Sequence, residues 1–123
     1  LVIWAKHTWP FLKFVDAKIQ IQTSGERCRP HLDFLNDYLE NVCAENTELY
    51  DREHSLQKPG VNVWRMFVAL NDQIEGQRFI INNEDWHWQE GDCIRLNNWQ
   101  ALHSTSNDSD TDRSIIKVTG IAI

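Results

Sequence analysis

The sequence has no apolar run approaching the roughly 18 residues that a membrane-spanning helix needs, and no block of lysine or arginine. Its 12 basic residues face 18 acidic ones, for a formal net charge of −6. Sequence-independent nucleic-acid binding replaces phosphate counterions with basic side chains, so nucleic acid is disfavoured as a partner. An anionic membrane surface is disfavoured for the same reason. Cysteine is scarce: Cys28, Cys43 and Cys93 are odd in number and none is spaced as CxxC. That argues against a disulfide framework or zinc ribbon and fits a cytoplasmic setting with reduced thiols. No internal repeat or low-complexity tract is visible. The opening residues, Leu1 to Lys6, turn polar too soon for a signal peptide and include no initiator Met, which reads as a fragment or a processed product.

What is present reads as one globular domain over residues 1–123. Hydrophobic residues make up 41% and charged residues 24%, ordinary values for a folded domain. Six Trp are a high count for this length, and core packing is the expected use of most of them. Residues 1–14 mix aromatics with Pro10 and fit either a short helix or an edge strand. Lys18 to Thr23 alternates polar and apolar residues with period two, the mark of a strand. After Ser24-Gly25, Arg27 to Phe34 reads as a second strand. Residues 35–60 are polar and irregular and end in Lys58-Pro59-Gly60, a turn signal; a loop acting as a lid is expected there. Val61–Leu70, Gln77–Ile81, Cys93–Leu96, Ala101–Ser106 and Arg113–Ile123 follow as strands separated by turn residues. About seven or eight short strands at regular spacing, with almost no helix, predict an all-β sandwich or barrel, most simply a double-sheet jelly roll.

One constellation carries chemistry. His31 and Asp33 stand two apart in a predicted strand, so both side chains face the same way. Alone, such a pair is more often a salt bridge. His103 lies in a later strand, and Arg113 follows ten residues on. Two histidines and one carboxylate on one side of a metal form the facial triad of non-haem iron(II) oxygenases and leave three positions open. A fixed arginine suits the distal carboxylate of a dicarboxylic co-substrate, which its planar fork matches with two hydrogen bonds.

In these residues the sequence resembles the 2-oxoglutarate and iron(II)-dependent oxygenases. The pattern stands as His31-Leu32-Asp33, then His103, then Arg113. Val63 to Asn71 followed by Gly76-Gln77-Arg78-Phe79, and Trp88 to Asp92 ahead of Leu102-His103, look like the prolyl-hydroxylase and aspartyl/asparaginyl-hydroxylase branches. The likeness covers residues 17–123. Asp33 departs from the aspartyl/asparaginyl branch, which often lacks the carboxylate ligand. The resemblance implies a double-stranded β-helix (a jelly-roll, cupin-like barrel) holding Fe(II) through His31, Asp33 and His103. It also implies 2-oxoglutarate as co-substrate, with Arg113 at its distal carboxylate. The reaction it implies is hydroxylation of a C–H bond in a small-molecule or peptide substrate.

Arg65 and Lys117 are further candidates for the co-substrate carboxylate, set against the plainer reading of each as a surface charge. Thr105 shares parity with His103 and could line the site. Two other readings compete. A cupin-type metal-binding isomerase is suggested by His103 with Asn107 four residues later, although the first cupin motif wants HxH where this chain has HxD. A barrel that binds without catalysing is the other. Finally, the last strand is apolar on both parities, Ile115 and Ile121 on one and Ile116 and Val118 on the other. Its outer face needs cover, from residues 1–16 or from a second subunit, and a homodimer is the expectation.

Overall fold

Period-two patterning becomes antiparallel strands along most of the chain. The structure is a computed structural model and describes residues 1–33, 38, 41–42, 50–51, 56–57, 62–96 and 101–122. A short helix α1 (Val2–Thr8) leads into β1 (Lys13–Gln22) and β2 (Arg27–His31). Most of the 35–60 segment, including His54, lies outside the described residues, and with it the expected lid. Within it, β3 (Tyr50–Asp51) and β4 (Leu56–Gln57) pair with each other. The rest follows as β5 (Asn62–Ala69), β6 (Gln77–Ile81), β7 (Glu84–Asp85), β8 (Cys93–Arg95), β9 (His103–Asn107) and β10 (Arg113–Ala122).

Two four-stranded sheets result, ordered β1-β10-β5-β8 and β2-β9-β6-β7. With the β3–β4 pair set aside, consecutive strands alternate between the sheets except where the β6–β7 hairpin stays in one, which is the double-sheet jelly-roll arrangement. Phe67, Ala69 and Ile115 from one sheet meet Phe79 from the other, with Trp88, Leu96 and Ala101 completing this interior. Phe67 and Phe79 pack edge to face at 5.1 Å between ring centres. The turn before β6 closes on Gly76, whose φ of 94° suits glycine; a Cβ there would lie 2.9 Å from the Asp108 carbonyl carbon.

The outer face of β10 is covered from within the chain. Ile116 and Val118 are buried with Met66 and Val68 of β5, and Ala5 of α1, Leu12 and Ala17 close over them. Val2 and Trp9 pack around the edge of this cluster. Residues 1–17 thus supply the outer layer, and the apolar face that suggested a homodimer is already occupied. Trp88 is buried in the interior, and Trp9, Trp64 and Trp86 are partly buried against the two clusters, in line with a packing role for the tryptophans.

Candidate metal centre

His31 closes β2 and His103 opens β9, and the ladder pairs these two residues directly opposite each other. Both side chains point between the sheets, their ring centres 4.3 Å apart. Each imidazole is held by its own strand: His31 Nδ1 lies 2.7 Å from the Arg29 carbonyl and His103 Nδ1 2.8 Å from that of Ala101. Holding Nδ1 against a carbonyl turns Nε2 of each ring toward Asp33, the nitrogen that would bind a metal. Asp33 lies two residues beyond the end of β2, so strand parity alone does not place it. Its Oδ1 is nevertheless 3.4 Å from Nε2 of His31 and 3.4 Å from Nε2 of His103.

The ligand atoms of His31, Asp33 and His103 all lie within 4.8 Å of one another. Neighbouring ligands of an octahedral ion, each at about 2.1 Å, sit about 3 Å apart. The separations from Asp33 to the two histidines are close to that, and the donor set suits a borderline divalent ion such as Fe(II). The residues present therefore fit a metal.

The other candidates fall around this cluster. Lys117 and Thr105 line a small cavity against the triad, of about 50 Å³, together with Gln20, Cys28, Phe67 and Phe79. Thr105 Oγ1 accepts a hydrogen bond from Gln22 Nε2 at 3.0 Å. Lys117 has its pKa lowered, first by burial and then by the charge of Arg65. Arg65 does not stand free for a co-substrate. Its Nε donates to Asp33 Oδ2 at 3.1 Å and its Nη1 to the Thr119 hydroxyl.

Arg113 is only 2% exposed. Its guanidinium carbon lies 5.6 Å from the ring centre of Phe79 and 5.9 Å from that of Trp88. Nε and Nη1 have no hydrogen-bond partner among the described residues. Burial pulls its pKa down to about 10. Asn107, the echo of a cupin motif, is fully buried away from the triad and binds the 107–111 turn, donating to the carbonyls of Gln22 and Thr111, each at 2.9 Å.

Sequence reading missed Cys28, Gln20 and Phe79 as neighbours of the triad. Cys28 stands three residues from His31, the wrong parity for a shared face, and only the register irregularity between them brings both to the triad, so no sequence signal marks it.

Charge at the centre is coupled to protons. Burial disfavours a charged His103, but its hydrogen bond to the Asp33 carboxylate, the Ala101 carbonyl and the Asp33 charge together raise its pKa. Burial likewise works against the Asp33 carboxylate, yet the hydrogen bond it accepts from His103 and the charges of Arg65 and both histidines bring its pKa down to about 2. A metal ion must displace the His103 proton. Metal affinity is therefore expected to rise with pH, by about tenfold per unit while His103 remains protonated in the metal-free protein. Mn²⁺ titrations from about pH 5.5 to about pH 8.5 read this directly, and a flat profile contradicts it. The contributions of the two groups to stability have opposite signs in pH. For His103 it is complete below the unfolded pKa of 6.5 and lost as pH rises through the folded value. For Asp33 it is present above 3.8 and lost as pH falls toward about 2.

No family model matches the sequence, and no curated protein matches it. Solved structures do. A cupin 2 conserved barrel domain protein from Salinispora arenicola aligns with a TM-score of 0.50 and 12% identity, over 91% of this chain and 68% of its own. A cupin protein from Bacteroides fragilis gives 0.50 and 13%, over 94% and 71%. The fold is a cupin-type jelly roll. The plu4264 protein of Photorhabdus luminescens aligns with a TM-score of 0.54 and 13% identity over 88% of this chain. This chain spans 63% of that protein's length. Identities this low establish the cupin fold and no activity. Among the described residues, no helix is long and apolar enough to cross a membrane.

Proposed function

We propose that this cupin-type barrel is an Fe(II)- and 2-oxoglutarate-dependent dioxygenase domain that hydroxylates a C–H bond of a small-molecule or peptide substrate. The observation that carries the reading is Arg113: a buried guanidinium with two nitrogens that have no partner among the described residues, on the same inward strand face as cavity-lining Ile115 and Lys117. A buried charge is costly unless something answers it, and a carboxylate is the matching group.

His31 and His103 would hold the ion through Nε2, and Asp33 through Oδ1. When bound, iron supplies the redox chemistry that couples decarboxylation of 2-oxoglutarate to reduction of O2. The chain's own part is placement. Arg113 binds the distal carboxylate, and Lys117 adds a second positive charge beside the triad. The Thr105 hydroxyl oxygen accepts from Gln22, which leaves its own proton to donate into the cavity. Phe67, Phe79 and Ile115 keep that space dry. The cavity of about 50 Å³ has room for one or two waters. Arg113 does not line it, so the co-substrate has to widen it on binding.

The smallness of that cavity favours a second reading, a cupin-type metal-binding barrel that takes no 2-oxoglutarate, whether an isomerase or a non-catalytic binder. Incubation with ferrous iron, 2-oxoglutarate and O2, scored for succinate, separates the two. Iron-dependent succinate release is expected. A protein that binds iron yet neither binds 2-oxoglutarate nor releases succinate supports the second reading and sinks the first.

A further inference from the structure

Asp33 has no ladder to hold it. It follows the end of β2, where pairing with β9 stops at His31, yet its carboxylate is only 14% exposed and is turned toward both imidazoles. What fixes it comes from the opposite sheet. Arg65, on β5 and itself buried, donates Nε to Asp33 Oδ2 at 3.1 Å. Thr119, its direct cross-strand partner on β10 and almost fully buried, accepts from Arg65 Nη1. The carboxylate is thereby divided: Oδ2 belongs to the guanidinium, and Oδ1 alone faces the histidines.

We propose that Arg65, braced by Thr119, is the positioning residue of the metal centre. It aims Asp33 Oδ1 at the space between the two imidazoles and confines the carboxylate to one-oxygen ligation. The planar fork reaches both Asp33 and Thr119 at once, which a lysine ammonium on a flexible stem does not reproduce. The guanidinium also balances the carboxylate charge before any ion arrives, so the ligands stand assembled in the metal-free protein. This inference rests on the metal-centre reading, and its test keeps the two apart.

The test is Mn²⁺ binding to the full chain, followed by the loss of the free-ion EPR signal, with the Co²⁺ absorption spectrum as a readout of ligand geometry. Arg65→Gln is expected to weaken Mn²⁺ binding by about 10- to 100-fold, the range for losing an outer partner of a ligand, and to change the Co²⁺ spectrum as the carboxylate becomes free to bind through both oxygens. Thr119→Val is expected to weaken binding less. A folded Arg65→Gln protein that binds Mn²⁺ within twofold of wild type, with the same Co²⁺ spectrum, overturns the proposal and leaves Arg65 a fold-supporting ion pair. Should Arg65→Gln not fold, Arg65→Lys carries the test, and wild-type affinity and spectrum in that variant overturn it equally. Wild-type protein that binds neither Mn²⁺ nor Co²⁺ fails the metal-centre reading itself, and the inference with it.

Discussion

His31→Ala is expected to abolish stabilisation of the protein by divalent metal. An ion that binds only the folded state adds RT ln(1 + [L]/Kd), about 2.7 kcal/mol at a hundredfold excess over Kd. For a domain of this size that is a rise of roughly 10 °C in melting temperature. The variant should show none of it at the same Mn²⁺ concentration, because one of the three donors found among the described residues is gone. His31 suits the experiment better than its partners. Its side chain is 36% exposed, whereas that of His103 is 5% exposed. Asp33→Ala would leave Arg65 as an unpaired buried charge, which destabilises by about 3–5 kcal/mol whatever the metal does. Calorimetric scans with and without Mn²⁺ decide the matter. A metal-induced shift that survives in His31→Ala removes His31 from the ligand set.

Arg113→Met is expected to act on stability and on co-substrate binding in opposite directions. With its pKa pulled from 12.5 to about 10 by burial, the guanidinium destabilises the ligand-free protein while it stays charged, at neutral pH by on the order of 3 kcal/mol. The neighbouring Phe79 and Trp88 rings return part of that. Methionine fills much of the same space without the charge, so the ligand-free variant should melt higher than wild type. Its affinity for 2-oxoglutarate should fall by more than a hundredfold while Mn²⁺ affinity changes little. The evolutionary logic is a buried cation kept at a cost in stability for the sake of an anion. A variant less stable than wild type, with unchanged 2-oxoglutarate binding, makes Arg113 a structural residue and withdraws the main support for the dioxygenase reading.

Much of the barrel could be read locally. β6 runs over Gln77–Ile81 as the pattern indicates, and the turns at Gly76 and Gly91 both carry the positive φ that glycine accommodates. β7 was not read, because Glu84 and Asp85 are poor strand formers and the strand is two residues long. The signal was beside it: Asn82 and Asn83 have φ of 49° and 66°, as a tight hairpin turn requires. At residues 1–14 the alternatives resolve as helix α1 followed by the start of β1, five residues of which precede the alternation that begins at Lys18.

Local pattern determines that a segment is a strand and which residues share a face; it does not determine which face turns inward. On β1 the answer runs against the usual rule. Gln22 is buried on the interior side and Gln20, though exposed, lines the mouth of the metal-side cavity, while Ile19 and Ile21 stand outside at 53% and 56% exposed. The polar face is turned this way because Thr105 and the metal-side cavity are there to meet it, and Thr105 lies 83 positions from Gln22 in the chain. Arg65 shows the same limit. Its sequence neighbours offered a role at the co-substrate, and the cross-sheet register placed it on Asp33 instead. The cover over Ile116 and Val118 was likewise open between a second subunit and residues 1–16 until α1 was seen docked on β10 and β5. The sequence by itself determined the strand rhythm, the all-β class and the order HxD, His, Arg. Only the tertiary structure decided which of those side chains meet, because pairing between distant strands and the partners of buried charges are non-local and leave no periodic trace.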